Sequence, residues 1–514
     1  MVSKSSFSQF SKQSKKGIII IYLDILYKII KALWVLVFVF IQNFSKTLDN
    51  NLSYIYFYLG FFFIFLLLIA FLKYHYFQFK IENNYFILKK GIIKKTNTSI
   101  PFDRIQNINF KQNIIQQIIN VYEVNIETAG SSKAEISIKA LSYEQANALK
   151  KTITINDKCN NYIWELDDDN KPNTINNPEI FVEQKPLLKI SVMQLLKVSL
   201  TENHLKSLLL LLAILFGFYQ QITELFNGFG EGELLDNYIS ENTTNFETNI
   251  VLIFILGLLF ILVSVISSFV RVFLRHFNLT VYIKNNALEI YQGLTTKKSF
   301  ILKKEKVQHI TVSDNPIKRQ LGISFITFKQ ALSGNVKKKQ DKIIKLVGCG
   351  QDQVLAIKNL LFSNEKFENF TKNYSSYYFK VRLYLRSIIF LIIINSVLYF
   401  IFKYNFVFWI NILLLPIFII SIELTFKKRF YLFTNDTLLI GSGTIETHKT
   451  YLPFYKVQNV KLKQTFFQST QNIIDIVFQT ASGKIVIPCI REDEAFKIYN
   501  YTLFMVENNK YSWM

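Results

Sequence analysis

The sequence predicts a multi-pass α-helical membrane protein with three small α+β domains, each a curved antiparallel sheet or barrel followed by a C-terminal helix. Three observations predict it. A stretch of about fifty residues recurs three times without a gap; long apolar runs precede each copy; and a net charge of +22 is carried by a chain that is half apolar and 16% aromatic. Such a composition is too apolar for an ordinary soluble enzyme, and a basic surplus beside apolar runs marks domains on the side of a bilayer where anionic lipid lies.

The repeat is clearest at Phe102-Asp103-Arg104-Ile105-Gln106-Asn107-Ile108, which returns as Lys304-Glu305-Lys306-Val307-Gln308-His309-Ile310 and as Phe454-Tyr455-Lys456-Val457-Gln458-Asn459-Val460. The offsets are 308 − 106 = 202 and 458 − 106 = 352, and they hold from Asn83 to Ala129. Because apolar tracts separate the copies, they are domains rather than the stacked units of a solenoid.

Apolar runs at 18–42, 53–72, 207–223, 249–270, 387–402 and 406–422 predict six spans in three hairpins, a bilayer core needing about 20 helical residues. The division that follows is an N-terminal segment and hairpin (1–73), domain 1 (74–153), a polar linker (154–186), a lead-in and second hairpin (187–270), domain 2 (271–363), a third hairpin (377–425) and domain 3 (426–508). The connector carrying Glu224, Glu231, Glu233, Asp236, Glu241 and Glu247 has no Lys or Arg, whereas the domains are lysine-dense. The positive-inside bias therefore places the N-terminus and all three domains in the cytoplasm. An uncleaved apolar start is expected in place of a signal peptide, since no small-residue cleavage site follows. Asp24, Lys28 and Lys31 lie on one helical stripe of the first run, which reads as an amphipathic lead-in with snorkelling lysines.

Within each domain, Phe77, Phe79 and Ile81 alternate with polar residues, as do Leu279, Val281 and Ile283, the period of a half-buried strand. Asn83-Asn84, Asn285-Asn286 and Asn435-Asp436 supply hairpin turns, and Gly91, Gly293 and Gly443 mark the next turn. Asn120, Gly322 and Asn472 suit a left-handed close to a short helical segment. Amphipathic helices are expected at 142–153, 351–362 and 492–506.

The motif Pro-Phe-x-(Arg/Lys)-(Ile/Val)-Gln-(Asn/His)-(Ile/Val), leading to a strand that ends in Thr-Ala-Gly, resembles the bacterial pleckstrin-homology-like (bPH2-type) domain of membrane proteins of the YdbT type. Residues 100–130 carry it best and 452–483 closely; the middle copy departs, with Lys303-Lys304 for Pro-Phe and Gln330-Ala331 for Thr-Ala. The resemblance implies a companion, a smaller membrane protein with one such domain, and an envelope-related role; it brings no reaction with it.

No catalytic or cofactor pattern accompanies the repeat. His75, His204, His276, His309 and His448 form no ligand pair, GxSxG and GxxxxGK[ST] are missing, and Cys159, Cys349 and Cys489 form no CxxC. The sequence thus predicts a non-enzyme without cofactor or metal: a scaffold whose domains engage the lipid bilayer, partner membrane proteins or one another by self-association. A transporter or lipid-handling protein using the six helices is the alternative. Nucleic acid is excluded, because aromatics fall in spans and strand interiors instead of beside the basic patches. The candidate lipid or partner contacts are Lys94, Lys95, Arg104, Lys303, Lys304, Lys306 and Lys456; Gln106, Gln308, Gln458, Gly91, Gly293 and Gly443 are read as structural repeat positions.

Overall fold

The computed structural model describes residues 7–33, 52–128, 136–149, 152, 185–202, 208–214, 216–218, 250–284, 287–330, 343–362, 371–402 and 410–508. The polar linker and the acidic connector lie outside the described residues, apart from the linker's last two.

Each repeat opens with a two-residue strand, β1 (Ser11–Lys12), β8 (Leu188–Lys189) or β15 (Asn373–Tyr374). A helix follows each: α1 (Gly17–Ala32), α4 (Val192–Leu200) or α8 (Tyr377–Phe402). A second helix, α2 (Leu52–His75), α5 (Ile250–His276) or α9 (Ile410–Lys427), then runs straight into the first full strand. The N-terminal half-sheets are β2 (Gln78–Glu82), β3 (Tyr85–Lys90) and β4 (Thr96–Pro101); β9 (Thr280–Lys284), β10 (Ala287–Gln292) and β11 (Lys297–Lys303); and β16 (Phe430–Phe433), β17 (Thr437–Ser442) and β18 (Thr447–Pro453). A 3-10 turn at the repeat motif leads into the C-terminal halves: β5 (Ile105–Gln112), β6 (Tyr122–Thr128) and β7 (Ile136–Leu141); β12 (Val307–Asp314), β13 (Ser324–Gln330) and β14 (Ile344–Cys349); and β19 (Val457–Lys463), β20 (Ile473–Thr480) and β21 (Gly483–Arg491). Between the first two strands of each C-terminal half sits a short helix, α3 (Ile114–Ile118), α6 (Pro316–Gln320) or α10 (Phe466–Ser469). The closing helices are residues 143–149, α7 (Gln351–Phe362) and α11 (Glu492–Asn508).

Local chemistry explains the punctuation. Asn83 and Asn84 both take positive φ in the first hairpin turn, and Asn120, Gly322 and Asn472 take it where each short helix ends. The short helices begin on side-chain caps: Asn113 and Thr465 form capping boxes with Gln116 and Gln468, and Asn315 caps Lys318 with Pro316 at the first turn.

Two expectations are corrected. The three domains are not separate sheets each closed on itself: the strand orders are β1-β2-β3-β4, β7-β6-β5-β11-β10-β9-β8, β14-β13-β12-β18-β17-β16-β15 and β19-β20-β21. The C-terminal half of one repeat continues, edge to edge, into the N-terminal half of the next. Nor are six spans seen among the described residues: three helices there are long and apolar enough to cross a membrane, Tyr56–His75, Gly257–His276 and Tyr377–Phe400. The first apolar run shows why. Its described part, α1, lies on domain 1, with Ile20 buried against Val121 and Ala140, Lys16 Nζ donating to Ile119 O at 3.2 Å, and Asp24 paired to Lys139. The lead-in role expected of its Asp24, Lys28, Lys31 stripe is thus its whole described role. The lead-ins of the other repeats are tied down in the same way, by Lys345 with Glu202 at 3.6 Å and by Arg382 with Asp475 at 2.8 Å.

The core divides unequally. Domain 1 has its own buried cluster around Phe79, Phe86, Val124 and Ile138. The cluster of domain 2 contains Phe430, Leu432, Leu439 and Tyr451 from domain 3, so those two domains share apolar interior.

Candidate functional site: the seams between repeats and the rim of glycine turns

The rim is built from the turns before β4, β11 and β18. Gly91, Gly293 and Gly443 hold φ of +113°, +106° and +112°, and a Cβ there would collide with the carbonyl oxygens of Lys94, Thr296 and Glu446. Only glycine fits both the dihedral and the space. The second and third turns are fastened to the ends of their preceding helices. Gly293 N donates to Phe277 O at 2.9 Å and Leu294 N to Leu274 O at 3.0 Å; Lys428 Nζ donates to the carbonyls of Thr444 and Ile445. At the tips, Ile93 is 99% exposed and Ile445 69%. Lys94 and Lys95 are exposed beside Ile93, with Lys95 Nζ 6.0 Å from the Tyr76 ring. An apolar tip with a basic collar, held at the end of a membrane helix, matches the chemistry of the headgroup layer.

The first seam joins β5 to β11, pairing Phe110 with Ser299 and Lys111 with Lys298. Gln117 Nε2 closes it by donating to Leu294 O and Thr295 O, both at 3.1 Å. Beside it lies a cleft of about 510 Å³ lined by, among others, Tyr122, Tyr143, Tyr291, Phe277, Lys297 and Lys298. Tyr291 gives its hydroxyl hydrogen to Glu289 at 2.8 Å, and burial, then Glu289, pushes its pKa up.

The second seam joins β12 to β18 and is densely bonded. Ser313 Oγ meets His448 Nδ1 at 2.8 Å, Thr311 and Thr450 hydroxyls meet at 3.2 Å, and His309 Nδ1 meets Ser482 Oγ at 3.0 Å. Lys318, 2% exposed, pairs with Glu446 and lies 3.7 Å over the Phe325 ring. Burial lowers its pKa despite that partner. Burial also takes His309 down to about 3, and Tyr451, packed on Phe362 at 5.9 Å, up to about 12.

The residues singled out from sequence separate accordingly. Lys94, Lys95 and Arg104 are exposed, while Lys303, Lys304 and Lys306 are half-buried. Lys456 is buried: its Nζ donates to Glu305 O across the second seam at 2.6 Å, and burial, with Lys306 nearby, lowers its pKa to about 8. The repeated glutamines share one position, since the ladder slips between Ile105 and Asn107, between Val307 and His309, and between Val457 and Asn459. Gln106, Gln308 and Gln458 thus each sit at a β-bulge in the strand that faces the next repeat. Gln308 is buried, whereas Gln458 is exposed. Sequence reasoning missed Gln117, Lys318, Glu446 and Tyr451. The one available signal was that the short helix carries Gln117 in one copy and Lys318-Arg319 in the next.

Among the described residues no group of three His, Cys, Asp or Glu side chains is gathered as a metal site. Cys349 and Cys489 are buried, and burial raises both thiols to about 12, leaving them unreactive.

The model of the bacterial PH domain family matches residues 29–155, 248–363 and 388–504, together more than half the chain. The transmembrane protein YdbT of Bacillus subtilis is 24% identical over 454 residues, covering 86% of this chain and 89% of that protein.

Proposed function

This chain belongs to the bacterial PH domain family, a membrane protein carrying that domain three times, and from that premise we propose that it is a non-catalytic scaffold holding three domains as one rigid surface against anionic lipid. The observation that carries this reading is the placing of the rim turns at the ends of α2, α5 and α9, the second and third fastened there by hydrogen bonds and the first and third tipped by exposed isoleucines. Each basic residue near an anionic leaflet contributes about 1 kcal/mol, and the tether keeps the domains at the surface, so weak contacts with lipid or with partner membrane proteins suffice. The reading places the domains on the cytoplasmic face of a bacterial inner membrane.

The transport alternative has one observation to lean on, a polar pair between α8 and α9. Asn395 Nδ2 donates to Asn411 Oδ1 at 3.0 Å, and Asn411 Nδ2 donates to Asn395 Oδ1 at 2.9 Å. Two amides that satisfy each other act as adhesive between helices, which favours the scaffold.

The test places a polarity-sensitive dye on Ile445→Cys in full-length protein in nanodiscs. Quenching by lipid-borne nitroxides, stronger with anionic than with neutral lipid, is expected. A dye that stays in water in both, or that reacts with reagent added outside intact cells, contradicts the reading.

A further inference from the structure

The two internal seams obey one register. The first pairs Phe110 with Ser299 and the second pairs Val312 with Lys449. Taking off the repeat offsets, 299 − 202 = 97, 312 − 202 = 110 and 449 − 352 = 97, so both seams set position 110 of one repeat opposite position 97 of the next. Among the described residues β4 and β19 are the outermost strands of their sheets, and each presents one half of this interface.

We infer that β19 of one copy of this chain pairs with β4 of a second copy, antiparallel, with Leu462 opposite Asn97. This stands independently of whether lipid binds the rim. Since 110 + 352 = 462, the same register sets Lys461 opposite Thr98, Lys463 opposite Thr96 and Val460 opposite Ser99. No like charges then face each other, whereas the first seam accommodates Lys111 against Lys298.

Burial agrees: in β12, whose outer edge the second seam covers, Gln308 is 1%, His309 6% and Ser313 5% exposed, while their counterparts in β19, Gln458, Asn459 and Lys463, are exposed. The short helix and the rim turn meet at each internal seam, Gln117 on backbone carbonyls at the first and Lys318 on Glu446 at the second. An unpaired edge offers its backbone groups to another strand. The pairing is head to tail, so it generates a ring if the rotation closes and a filament if it does not.

Disulfide trapping in membranes tests this, with two differently tagged full-length single variants, Asn97→Cys and Leu462→Cys, produced together and oxidised. A band of twice the chain mass carrying both tags is expected, without same-variant dimers. Asn97→Cys with Gln458→Cys should give roughly a tenth as much, because four residues along a strand add about 13 Å, beyond disulfide reach. Linkage of Asn97→Cys with Leu462→Cys inside one chain of the double variant overturns the inference. So does linkage of either variant to a smaller protein, or no cross-link at all.

Discussion

The two seams use the same backbone register and differ in everything the side chains do. The second is filled by Tyr451 and Phe362, bonded through His448, Thr450 and Lys318, and continuous with the core of domain 2. The first is held by the ladder and Gln117 and keeps a cleft of about 510 Å³ beside it. Backbone pairing therefore sets the architecture, while side chains decide which junction is filled and which keeps a cleft beside it.

The strongest way to break that contrast is to empty each seam in turn. Tyr451→Ala removes a ring that is 5% exposed and should cost about 3–5 kcal/mol of apparent unfolding free energy in detergent. Phe300→Ala, at a half-buried position of the first seam, should cost about 1–2 kcal/mol. Equal losses would erase the distinction.

Acid sharpens it. His309 is held near 3 by burial, below its unfolded value of about 6.5, so the unfolded chain binds the proton first. Its stabilising effect is fully present above pH 6.5 and is lost as pH falls toward 3, amounting to about 2 kcal/mol at pH 5. His309→Asn, the residue type of the other copies at Asn107 and Asn459, should flatten that slope. An unchanged slope would show that the histidine is not buried at the seam. The smallest effect belongs to Gln117→Ala, about 1 kcal/mol for its hydrogen bonds to Leu294 O and Thr295 O, read as faster exchange of the first seam's amides alone.

Much of each domain is legible in the chain because it is local. Gly91, Gly293 and Gly443 declare a turn that nothing else fits, and Asn120, Gly322 and Asn472 close a helix. The seams are not legible, since an edge strand that joins another repeat carries the same alternation as one facing water. Lys456 looked like a surface charge for that reason and is buried against Glu305. Asp24 is a similar case: nothing in its own run names the partner that Lys139, 115 residues later, supplies.

The central claim, that strand pairing fuses the three repeats, is tested most directly by hydrogen exchange on full-length protein in nanodiscs. The account predicts slow exchange, as linked sets, for residues 109–112 with 297–300 and for residues 310–314 with 447–451. Exchange of these strands as fast as that of the exposed turn at 93–95 would contradict it.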